Sequence, residues 1–100
     1  RGWVKFNTSG TILAELNVSS ITDTGVGNWT VNWDRDFSSA NYAVVATAQG
    51  TWTGSDATTW VAQAHDGGVA AGTTQILVLR ASDGTASDPT AVHVVAFGVQ

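Results

Sequence analysis

A chain of 100 residues with 12% charged and 43% hydrophobic side chains and a net charge of −4 is a single domain, 1–100, with a modest core. Four Lys and Arg against eight Asp and Glu repel phosphate backbones, which argues against nucleic acid as a partner. With no cysteine, neither disulfides nor thiolate metal sites can supply stability, so packing or oligomerisation must do so.

The charged fraction is about half the usual ~25% of globular chains. Solubilising surface is therefore scarce. Either the chain is a subunit that hides surface against copies of itself, or it is a piece of a longer protein; Arg1 at the start and the absence of Met favour the second, and both can hold. The longest apolar runs, Ala43 to Ala46 and Ile76 to Leu79, fall far short of the ~20 residues of a membrane helix. No signal-peptide pattern opens the chain, and a soluble protein is expected.

Seven segments rich in Val, Ile, Thr or aromatics, each bounded by Gly, Asn, Asp or Ser, are predicted as strands. The first is Trp3 to Phe6 and the second Thr11 to Val18. The loop Thr22-Asp23-Thr24-Gly25-Val26-Gly27-Asn28 follows, where Gly25 and Gly27 can take positive φ and Asn28 tolerates it. The third strand, Trp29 to Trp33, alternates apolar and polar residues, which places Trp29, Val31 and Trp33 on a core face. Asp34 to Ala40 is too short and too rich in Ser and Asp to be more than a turn, and no stretch carries a helical period. Tyr42 to Gln49, Thr59 to His65, Thr74 to Ala81 and Ala91 to Val99 complete the set, with Pro89 just before the last strand. A spacing of roughly 10 to 15 residues per strand and turn indicates an all-β fold, an antiparallel β-sandwich of about seven strands.

Three of these strands read as apolar on both faces. They are Tyr42-Ala43-Val44-Val45-Ala46, Ile76-Leu77-Val78-Leu79 and Val92-His93-Val94-Val95-Ala96-Phe97. Antiparallel pairing normally leaves one face wet, so something must cover the second. A neighbouring subunit is the economical candidate; cover by the chain's own loops is the alternative.

The order and spacing of several of these pieces resemble a known module. Gly2-Trp3-Val4-Lys5-Phe6-Asn7 and Gly10-Thr11 come first, then Asn17-Val18-Ser19-Ser20-Ile21-Thr22-Asp23 with Gly25 and Gly27. Trp29-Thr30-Val31-Asn32, Ala40-Asn41-Tyr42-Ala43-Val44-Val45 and Val94-Val95-Ala96-Phe97-Gly98 follow. Together they resemble a recurring C-terminal tip module of bacteriophage tail fibre and tail-associated proteins. The resemblance spans nearly the whole chain and implies a homotrimer at the host-facing end of a virion. Gln49 to Thr74 has no counterpart in it, and Glu15-Leu16 and Asp34-Arg35-Asp36 are individual to this chain, so no binding residue carries over.

That unmatched segment holds the best candidate for recognition. In Thr51 to Trp60 two indoles bracket small hydroxyl and acidic residues. Sugars are commonly held by an aromatic face under their C–H patch and short polar side chains on their hydroxyls. Trp52 and Trp60 are therefore expected as stacking platforms, with Ser55 and Asp56 as hydroxyl partners, for a bacterial surface glycan or other outer-surface receptor. Against this stands a purely structural reading, in which both Trp cap the core at strand ends.

Other constellations favour architecture. The Asp83 to Asp88 run and Asp34-Arg35-Asp36 lack the spacing of a dedicated Ca²⁺ loop, and His65 and His93 lack paired metal spacing, although a trimer could bring three copies of one His to its axis. No metal or cofactor is expected. Asn7-Thr8-Ser9, Asn17-Val18-Ser19 and Asn28-Trp29-Thr30 match the N-glycosylation pattern, by coincidence in a chain rich in these residues. A polysaccharide hydrolase would need paired carboxylates, but Glu15 is the only glutamate and no nucleophile elbow occurs; an enzyme is not expected. The expected function is a fibre-tip domain for trimerisation and host-receptor binding, joined to the rest of the fibre at the virion's distal end. The alternatives are a monomeric carbohydrate-binding module of a secreted enzyme and a purely structural trimerisation tip.

Overall fold

The computed structural model describes all 100 residues. They form eight strands: β1 (Gly2–Asn7), β2 (Ile12–Leu16), β3 (Val18–Gly25), β4 (Asn28–Trp33), β5 (Ala43–Gln49), β6 (Trp60–Ala70), β7 (Thr73–Arg80) and β8 (Ala91–Phe97). Two antiparallel four-stranded sheets result, ordered β2-β1-β8-β5 and β3-β4-β7-β6. This is the β-sandwich that the strand pattern predicted.

The period-2 alternation sets the core. β4 turns Trp29, Val31 and Trp33 inward, as expected, against Val4 and Phe6 of β1, Ile76 and Val78 of β7, and Val92, Val94 and Ala96 of β8. Phe6 meets Trp29 edge-on at 5.7 Å between ring centroids, the arrangement aromatic pairs prefer. Each buried indole also disposes of its N–H. Trp29 donates to the carbonyl of Thr8 and Trp33 to the hydroxyl of Thr74, which is fully buried and also bonded to the Tyr42 hydroxyl.

Two differences from the sequence reading concern the first half of the chain. The segment Thr11 to Val18 is not one strand: it breaks at Asn17, whose φ of 61° turns the chain from one sheet to the other. Asn and Asp enter this left-handed region more readily than other side chains, because a short amide can bond locally. Here the Asn17 amide bonds the backbone of Arg35 on both sides, accepting from its N–H and donating to its carbonyl. The second difference is that Thr22 to Gly25, predicted as loop, continues β3 opposite β4, leaving Val26 and Gly27 as the turn. Gly27 is fixed there by φ of 63° and by backbone contact. A Cβ at this position would lie 2.8 Å from the Ser87 nitrogen and nearer still to the Val78 carbonyl, so any side chain would force the turn off β7.

The Asp34 to Ala40 turn contains a core residue that its polar composition hid. Phe37 is buried, stacked on Tyr42 at 4.0 Å and edge-on to Trp33 at 5.5 Å. β6 is longer than predicted, since it resumes after a bulge: between Ala64 opposite Ile76 and Val69 opposite Thr74, the four residues 65–68 face Gln75 alone. Gly68 is required there, because a Cβ would strike the Gln75 side chain.

The two outer faces of the sandwich differ in chemistry. On the β3-β4 side the Asn32 amide bonds the hydroxyls of Ser20 and Thr22, a polar ladder open to water. Across the β2-β1-β8-β5 sheet the register aligns Leu16, Trp3, Val95 and Val45 in one transverse row. Trp3 and Leu16 are 40% exposed, Val45 57% and Phe97 55%. The chain's own loops therefore leave Val45 and Phe97 on the second face of β5 and β8 uncovered, beside His93 and Thr47. In β7 the outward Leu77 and Leu79 are half-buried, and the chain returning through Ala86 forms a bridge to Leu79.

Candidate functional site

The strand directions give the sandwich two distinct ends. At one, Gly2 pairs with Ala96 and Ala43 with Phe97; the N-terminal amine bonds the Gln100 side chain, and Gln100 bonds Arg35. Both termini leave from this end. At the other, Asn7 and Gln49 both pair with Ala91, and the segment after Gln49 carries the candidate recognition residues. The extents of 41 × 25 × 20 Å make the molecule elongated.

The loop between β5 and β6 is held by its own hydroxyls. Thr58 accepts from the Thr53 N–H and shares a hydroxyl bond with Thr53 at 2.9 Å. Thr58 and Thr59 both donate to the carbonyl of Ser55. These bonds close a short 3-10 turn, Asp56–Thr58, entered through Ser55. Ser55 makes no side-chain capping bond, and both Ser55 and Asp56 are exposed. The latch of Thr53 and Thr58 carries no distinctive signal in a chain so rich in threonine.

The two indoles of the candidate site are placed very differently. Trp52 is 71% exposed. Trp60, at the start of β6, is half-buried against the core, donates its indole N–H to the Ser87 hydroxyl at 3.0 Å, and covers Gly50 so closely that no side chain could stand there. One indole is thus free to receive a ligand face, and the other anchors the loop that carries it. Ser55 and Asp56 lie on the same loop as Trp52. No enclosed pocket adjoins this loop, so a ligand here meets exposed surface around Trp52.

The remaining chemistry-bearing residues are engaged in turns. Asp83 accepts from the Thr85 hydroxyl and N–H and pairs with Arg80 at 3.0 Å; these bonds, the Thr85 side chain first, hold its carboxyl below the ordinary 3.8. Asp88 accepts the Gly27 N–H, and Glu15 accepts the Val18 N–H just past the Asn17 corner. His93 bonds Gln49 at 2.8 Å on the outer face of β8, whereas His65 sits in the β6 bulge. No three His, Asp or Glu side chains gather as a metal site would require. The three glycosylation-like asparagines each hold local structure. Asn7 accepts from Ser9 and Thr11 in the β1–β2 turn, Asn17 makes the corner, and Asn28 accepts from Gln75. No protein-family model, curated protein or solved structure matches the chain.

Proposed function

We propose that this chain is the tip domain of a phage tail fibre, which trimerises and attaches the virion to a bacterial surface glycan or other surface receptor through the loop that bears Trp52. One observation carries the reading. A mostly exposed indole stands on a hydroxyl-latched loop at the end of the sandwich opposite both termini, where any chain continuing from either terminus is out of the way. An exposed indole offers a sugar a flat apolar face at little conformational cost, and Ser55 and Asp56 are exposed on the same loop for its hydroxyls. Such contacts are individually weak, and three copies on one rigid tip raise avidity without any site being tight. This fits an open loop without a pocket.

The test is adsorption of the isolated fluorescent domain to a panel of bacterial cells and immobilised surface polysaccharides. Trp52→Ala is expected to lower binding at least tenfold while leaving the thermal melt unchanged. Adsorption that survives Trp52→Ala overturns the assignment of the loop. Failure of the wild-type domain to adsorb to any surface leaves the purely structural trimerisation tip, the reading that the apolar outer face of β5 and β8 also favours.

A further inference from the structure

We propose that Asp66-Gly67, the pair extruded by the β6 bulge, is a site of spontaneous backbone isomerisation, at which aspartate passes through a cyclic succinimide to isoaspartate. The reaction needs only water and is independent of the adhesive reading above.

Asp-Gly is the sequence step most open to this chemistry. Glycine puts no Cβ in the way of its own nitrogen and leaves the backbone free to bring that nitrogen to the neighbouring side chain. The chain has two such steps, Asp66-Gly67 and Asp83-Gly84. Both are exposed, so access to water does not distinguish them. Their hydrogen bonds do. The Asp83 carboxylate accepts from the Thr85 N–H and hydroxyl and from Arg80, and the Gly84 N–H donates to the Arg80 carbonyl at 2.9 Å. Nucleophile and electrophile are both occupied there, and the bonds to the carboxylate favour its ionised form over the acid that must react.

Asp66-Gly67 is the reverse case, and the register shows why. The ladder that arrives with Ala64 opposite Ile76 would set His65 against Gln75, and the ladder that leaves with Val69 opposite Thr74 would set Gly68 there. Asp66 and Gly67 belong to neither. Gly68 abuts the partner strand, since a Cβ on it would strike the Gln75 side chain, whereas a Cβ on Gly67 would meet only the His65 ring, at 3.6 Å. β6 is an edge strand, so no further strand offers the pair a backbone partner from the other side. The Asp66 carboxylate, unlike that of Asp83, has no hydrogen-bond or ion-pair partner.

In the first step the Gly67 nitrogen attacks Cγ of the protonated Asp66 carboxyl. The N–H proton and the carboxyl hydroxyl leave together as water, and a five-membered imide closes. Water then opens the ring. Addition at the Cγ carbonyl restores aspartate; addition at the main-chain carbonyl gives a product of the same mass in which the chain runs through Cβ and Cγ and the former main-chain carboxyl is the free acid. The backbone is lengthened where two surplus residues already sit, so the pairs of Ala64 with Ile76 and Val69 with Thr74 keep their register.

The experiment is ageing of the intact domain at mildly acidic pH, with and without denaturing urea. Proteolysis and mass spectrometry with electron-transfer fragmentation then distinguish isoaspartate from aspartate at each position. In the folded protein Asp66 should isomerise at least tenfold faster than Asp83, and in urea the two should react at similar rates. Gly67→Ala, whose Cβ has room, should keep the wild-type circular dichroism and slow the reaction at Asp66 at least tenfold. Thr85→Ala, which removes the hydroxyl bonded to both Asp83 and Arg80, should speed the reaction at Asp83 at least twofold and leave Asp66 unchanged. Equal rates at the two positions in the folded protein overturn the inference. So does a preference for Asp66 that persists undiminished in urea, because sequence alone would then account for it.

Discussion

Replacing Trp60 and Trp52 singly by alanine should separate the anchor from the platform. Truncating a fully buried Trp costs about 3–5 kcal/mol. Trp60 is half-buried, so its packing share is about 2 kcal/mol, and losing the bond to Ser87 adds at the low end of ~0.5–1.5 kcal/mol, since the freed hydroxyl can turn to water. The sum is about 2–3 kcal/mol. At roughly 4–8 °C per kcal/mol for a domain of this size, Trp60→Ala should lower Tm by about 10–20 °C. Trp52, 71% exposed, should cost no more than ~0.5 kcal/mol when truncated. Thermal melts followed by circular dichroism, at one fixed protein concentration because association adds to apparent stability, read both values. If Trp60→Ala is as stable as the wild type, the indole is not an anchor and returns to the list of ligand contacts. If Trp52→Ala melts with it, the loop is packed more tightly than its exposure implies.

Thr74→Val keeps the shape of a fully buried side chain but removes the acceptor for the Trp33 indole N–H, while the Tyr42 hydroxyl keeps the carbonyls of Ala70 and Thr73. One orphaned buried donor should cost about 1–3 kcal/mol in urea unfolding, and Thr74→Ser should recover the hydrogen-bonding part; a neutral Thr74→Val refutes the role. The bonds from Thr85, and then the charge of Arg80, lower the pKa of Asp83 in the folded chain. Its contribution to stability is therefore present above the unfolded value and is lost as pH falls through the folded one. A carboxyl ¹³C titration by NMR should show the Asp83 midpoint below 3.8, and a midpoint at or above that value would discard the turn as its cause.

Alternation was the part of the fold most legible in sequence. Trp29-Thr30-Val31-Asn32-Trp33 announced its buried face, and Val92 to Phe97 announced side chains apolar on both sides, but not that the chain itself leaves Phe97 and neighbouring Val45 exposed. What stayed hidden depended on single backbone torsions and distant partners. Nothing local distinguishes Asn17 from other asparagines; its left-handed turn is stabilised by Arg35, which only the folded chain brings near. Phe37 was concealed by its Ser and Asp neighbours, although a lone aromatic in a polar turn is a hint that something there is buried. At the candidate site the two indoles looked equivalent because they frame one loop. Their difference lies in Gly50 and Ser87, one before the loop and one well after it, which together make the seat of Trp60.

The interruption in β6 limits what a free edge of this fold can do. β6 is an edge strand of its sheet, and a straight exposed edge is a template on which further chains can add strand by strand without end. By setting His65, Asp66, Gly67 and Gly68 opposite Gln75 alone, the bulge breaks the ladder of donors and acceptors that such growth would copy. Straightening this strand by deleting residues 65–67, which leaves Gly68 alone opposite Gln75, would remove the brake, and the first sign would be fibrils in place of discrete particles.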